Sequence, residues 1–148
     1  MQKRFISSCI LVIYSIFLIN LLLFKIKLLT IGHLRFKFSQ VSGKANFVPF
    51  KTILPYLLGA HGWFIAFINL AGNIALFIPV GFLIPLIYRK MTWQKSLIFG
   101  LILTFIIETT QTVFHIGIFD IDDIILNALG VMIGYWIFVI FTKRSIQK

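Results

Sequence analysis

Glu108, Asp120, Asp122 and Asp123 are the only acidic residues of the chain, and all four fall within sixteen consecutive positions. Gln111, His115 and Asn127 belong to the same stretch, which closes on Gly130 and Gly134. Carboxyl groups gathered this closely suit a bound divalent cation, general acid–base work, or a facing Lys or Arg. Glu108, Asp122 and Asp123 are the candidate metal ligands. No H-E-x-x-H spacing and no nucleophile–base set accompanies them, so no residue is assigned as catalytic.

The elements that must position these groups are apolar. The chain has 148 residues, is 59% hydrophobic and only 12% charged. An ordinary soluble domain is about 25% charged, so the composition places the protein in the membrane class. Apolar runs at 5–24, 63–88, 97–116 and 124–141 are each about long enough to cross a bilayer. The expected fold is an all-α integral membrane protein, one domain over 1–148, with an outer interfacial segment at 25–62 between the first two helices. The first run follows Lys3-Arg4 like a signal peptide, yet its length and the lack of a small-x-small cleavage site predict a retained helix. One cysteine, Cys9, permits no intrachain disulfide.

Net charge is +10, and the cations sit beside and between the apolar runs rather than in a nucleic-acid motif. That arrangement anchors helix ends at anionic head groups. Counting Lys and Arg puts both chain ends in the cytoplasm, with eight cations inside and six in the outer loop. Within that loop, Leu34–Phe38 alternates apolar and basic residues as a short strand or interfacial piece would. Asn46–Phe50 and Thr52–Leu58 are apolar but too short and Pro-broken to span. They are expected along the outer membrane surface, amphipathic or re-entrant.

Helical spacing then sets the polar groups on faces. Asn69 and Asn73 are four apart, as are Asp123 and Asn127, while Glu108 and Gln111 share a stripe. At about 1.5 Å rise per residue, Asn69 and Asn73 lie about 9 and 15 Å deep, Glu108 about 12 Å, Gln111 about 8 Å and Asn127 about 5 Å. A polar pocket at one level beneath the outer leaflet is the expectation, lined by Asn46, Asn69, Asn73, Glu108, Gln111, Asp120, Asp122, Asp123 and Asn127. Glu108 carries most of that expectation, since no Lys or Arg shares its span and a mid-span carboxyl needs a partner. Each group also has a structural reading: the asparagines as interhelical hydrogen bonds, Gly130 and Gly134 as a packing face, and Asp122 and Asp123 as first-turn acids.

Asn46-Phe-Val-Pro-Phe50, Asn69-Leu-Ala-Gly-Asn73 running on to Pro79-Val-Gly81 and Pro85, Glu108-x-x-Gln111, and Asp120-Ile-Asp-Asp-Ile-Ile-Leu-Asn127 with Gly130 and Gly134 together resemble the VanZ-like family of small membrane proteins. The likeness covers about 46–135 and gives no support to the first run or to Leu34–Phe38. It implies a four-helix protein of the bacterial envelope with a link to resistance against teicoplanin-type lipoglycopeptides. It names no reaction. Members often carry an Arg after the glycine of the acidic turn; here Gly117 is followed by Ile118, and Lys44 or Lys51 would have to supply the cation.

Three classes of function follow. The first binds or remodels a surface lipid-linked wall precursor or lipoglycopeptide, with Lys44 and Lys51 drawing in an anionic phosphate. The second is a hydrolase or transferase using a divalent cation as cofactor on a phospholipid-like substrate. The third is a scaffold whose polar groups only specify helix pairing. Membrane lipids are partners in all three, and nucleic acid in none.

Overall fold

A computed structural model of the protein describes residues 6, 9–10, 12–14, 16, 18, 45–59, 62–88, 90–114 and 117–146, the last four without side chains. Its elements are a short helix α1 (Ile53–Leu57) and three long ones, α2 (Trp63–Ile87), α3 (Trp93–Val113) and α4 (Ile121–Ile146). All three long helices are long and apolar enough to cross a membrane. The described residues of the first run are helical throughout. Leu18 is buried in the same core as Phe77, Val80, Ile84 and Val131, and the Tyr14 hydroxyl donates to the Leu76 carbonyl. The fold is that of an all-α membrane protein. Leu34–Phe38 lies outside the described residues.

Helix boundaries depart from the apolar runs where capping, not hydropathy, sets them. α3 begins at Trp93, four residues before the expected 97, because Thr92 is extended and its Oγ accepts the Lys95 N–H at 3.4 Å. A threonine in that position starts a helix whatever the polarity of the turn that follows. α3 ends at Val113, three residues short of 116, in a turn closed by Gly117 N–H on the Gln111 carbonyl at 3.2 Å. α4 begins at Ile121 rather than 124, which puts Asp122 and Asp123 inside its first turn.

α3 and α4 run antiparallel, with Thr104 facing Asn127 and Gly100 facing Val131. α2 and α4 run parallel and approach much more closely. A methyl group added at Gly130 or Gly134 would collide with the backbone carbonyls of Ile74 or Ile78, and one at Gly81 with that of Val131. In lipid no hydrophobic force pulls helices together, so close backbone approach through small residues supplies the contact energy. This glycine seam fixes α4 against α2, and thereby fixes where the acidic first turn of α4 must sit.

Candidate functional site

Asp122 is fully buried, and its carboxylate is surrounded by backbone donors. Oδ1 accepts the Phe50 N–H at 2.5 Å, and Oδ2 accepts those of Thr52 and Ile53 at 2.7 and 3.1 Å. Thr52 and Ile53 begin α1, whose first amides have no carbonyl partner of their own. A carboxylate from α4 therefore caps a helix that precedes it by about seventy residues of chain. The turn it holds puts Phe50 at φ 66°, a conformation that a bulky side chain adopts only when its surroundings enforce it.

Asp120 ties the same segment one step earlier. Asn46 and Asp120 form an isolated parallel bridge, Asn46 N–H to the Phe119 carbonyl at 2.8 Å and Ile121 N–H to the Asn46 carbonyl at 3.0 Å. Their side chains repeat the link: the Asn46 amide donates to Asp120 Oδ1 at 2.9 Å and to Thr52 Oγ at 3.1 Å, and the Thr52 hydroxyl donates to Asp120 Oδ2 at 2.5 Å. Asp120 Oδ1 also accepts the Asp122 N–H at 2.9 Å, which caps α4. Phe119, next to the bridge, meets the Phe47 ring at a tilt and the Phe105 ring edge-on.

Glu108 lies 3% exposed in the fifth turn of α3, and its Oε2 accepts the Asp120 N–H at 3.2 Å. The mid-span carboxyl is thus met by a backbone donor of the connecting turn, an arrangement that needs no cation from its own helix. On the far side of the turn, Asp123 accepts from the Asn73 amide. Both the Asp123 and the Asp120 carboxylates bear on Tyr56, whose phenol is held above its ordinary pKa by burial first and by those charges second.

Six of the residues expected to share one site are therefore brought together: Asn46, Asn73, Glu108, Asp120, Asp122 and Asp123. Asn127 is buried one turn further along α4 and donates to Thr104 Oγ at 2.7 Å. Asn69 turns back on its own helix, its amide donating to the Ile65 carbonyl at 2.8 Å. Gln111 lies against Gly117 at the turn. Lys51 is exposed beside the clamped turn, and Lys44 and His115 lie outside the described residues.

The candidate metal ligands Glu108, Asp122 and Asp123 are each hydrogen-bonded within the protein. Glu108, Asp122 and Asp123 do not converge as a ligand set, and the described residues include no group of three His, Cys, Asp or Glu that would. Both Asp122 oxygens already accept amide hydrogens. A shallow apolar groove on the outward face of α3, with Phe105, Ile106 and Val113 in its lining, contains none of the acids. Thr52, Tyr56 and Thr104 are network members that sequence reasoning missed. Thr104 had a legible signal, four residues before Glu108 and so on the same face. Thr52 and Tyr56 had none, since only the fold brings them to the acidic turn.

Fold and site together define a class: a small all-α membrane protein in which the acidic first turn of one spanning helix grips the segment leading into another. The family model described as VanZ/LLP1 matches residues 11–142. The chain belongs to the VanZ-like family, and the match takes in most of the first run and all of 25–62, beyond the 46–135 seen in the motifs. Protein VanZ of Enterococcus faecium is 30% identical over 145 residues, covering 98% of this chain and 81% of that relative. No solved structure matches.

Proposed function

We propose that this VanZ-type envelope membrane protein binds or remodels a lipid-linked component at the outer face of the cytoplasmic membrane, and that it thereby contributes to resistance against teicoplanin-type lipoglycopeptides. The observation that carries the reading is the clamped turn: Asp120 and Asp122 hold residues 46–53 in place while Lys51 stays exposed beside Phe47, Val48 and Phe50. A cation next to apolar side chains is the pairing that a phosphate on a lipid chain calls for. Charge reversal by Lys51→Glu tests it, with teicoplanin susceptibility and binding of a polyprenyl-diphosphate-linked precursor measured at equal protein abundance. Both readouts are expected to fall; if neither moves, Lys51 does not serve a ligand and the reading fails.

A second reading draws on the same network. Acids satisfied by the protein's own amides also suit a scaffold that presents a fixed surface to other membrane proteins. In that case Lys51→Glu is silent, while Asp122→Asn lowers phenotype only in proportion to the folded protein it removes.

A further inference from the structure

Residues 47–58 combine three features that an aqueous loop has no use for. Phe47, Val48, Phe50, Leu54, Leu57 and Leu58 are all more than half exposed, a run of apolar surface with one cation, Lys51, among it. The irregular backbone between them has its amide hydrogens taken by a buried carboxylate, at Phe50, Thr52 and Ile53. In water those amides would be hydrated at little cost; in hydrocarbon, non-helical backbone survives only where protein groups satisfy it. The third feature is level. Asn73, in the third turn of α2, meets Asp123 in the first turn of α4, so the exposed Trp63 and Phe64 lie beyond the acidic turn along the bundle. A bilayer that covers those two rings also covers the segment bonded to the turn.

We propose that residues 47–58 form a re-entrant element embedded in the bilayer on the side where α2 and α4 begin, its apolar side chains among acyl chains and Lys51 reaching up to the lipid phosphates. The occupant of this surface is lipid, continuous with the lipid around the start of α2. Lysine suits the role because its long stem crosses apolar surroundings while the ammonium stays at the polar boundary. The inference stands apart from the resistance reading, since it concerns where the segment lies and not what it binds.

The test uses the full chain with Cys9→Ser, reconstituted in phosphatidylglycerol–phosphatidylethanolamine vesicles and carrying one cysteine at a time, Lys51→Cys, Leu54→Cys or Leu57→Cys. A membrane-impermeant maleimide is expected to label positions 54 and 57 about tenfold or more slowly than position 51, since apolar surroundings suppress the reactive thiolate and exclude the reagent. Equal rates at all three overturn the proposal. Nitroxides at the same positions identify the occupant: contact with lipid makes 54 and 57 accessible to oxygen and not to a nickel chelate. Shielding from both means that protein, for instance a second copy, covers the segment, and overturns the proposal as well. Neither readout depends on drug susceptibility, so failure here and failure of the resistance reading are separable.

Discussion

α4 is held at two places by opposite means. Its first turn is a polar knot, where Asp120, Asp122 and Asp123 meet Asn46, Thr52, Asn73 and the amides of the preceding segment. Its middle is a dry seam, where Gly130 and Gly134 let the backbone of α2 come into contact. The seam needs only the absence of side chains and orients whole helices. The knot needs particular donors and acceptors, and it places a short irregular segment that has no helix long enough to position itself. Where backbone is regular, packing suffices; where it is irregular in an apolar setting, charge-assisted hydrogen bonds take over.

The comparison breaks most readily at the seam. Gly134→Leu is expected to destabilise the protein in detergent by about 3 kcal/mol, read as a fall in thermal midpoint, because the new side chain meets backbone that cannot yield. Gly72→Ala in α2, with open space around it, is expected to be neutral or up to about 1 kcal/mol stabilising. If both substitutions behave alike, close approach is not what holds α2 to α4.

At the knot, Asp122→Asn is expected to cost about 2–3 kcal/mol, since one acceptor becomes a donor facing amide hydrogens. Its signature is local: faster hydrogen exchange at 50–53 with α2 and α3 protected as before. Loosening of the whole bundle at once would mean that the knot and the seam are one cooperative unit.

The smallest effect sharpens the contrast. A double-mutant cycle on Thr104→Val and Asn127→Leu is expected to give a coupling of about 0.6–1.7 kcal/mol, the range for a single interhelical hydrogen bond in lipid. Asn69→Ala, which removes only a bond to the helix's own Ile65 carbonyl, is expected to show no coupling to any α4 residue.

Much of the frame is legible in the sequence. Three of the apolar runs coincide with long helices to within a few residues, and the all-α membrane class follows from composition. The acidic stretch was legible as the place where polar groups gather, because four carboxyls in so apolar a chain must find partners. What they would find was not. At Asp122 the partners are the backbone amides of Phe50, Thr52 and Ile53, which no side-chain pattern announces. Asn69 and Asn73 share a face, yet one turns back to Ile65 and the other reaches Asp123.

Hydropathy and spacing by themselves determined the number of helices near the acids, the face each polar residue takes, and the glycines able to bring helices close. Those are local properties, set within one turn or one run of chain. Which donor meets which acceptor across about seventy residues was decided only by the tertiary fold. An amide hydrogen carries no mark in the sequence, and a carboxylate will accept whichever one packing brings within reach.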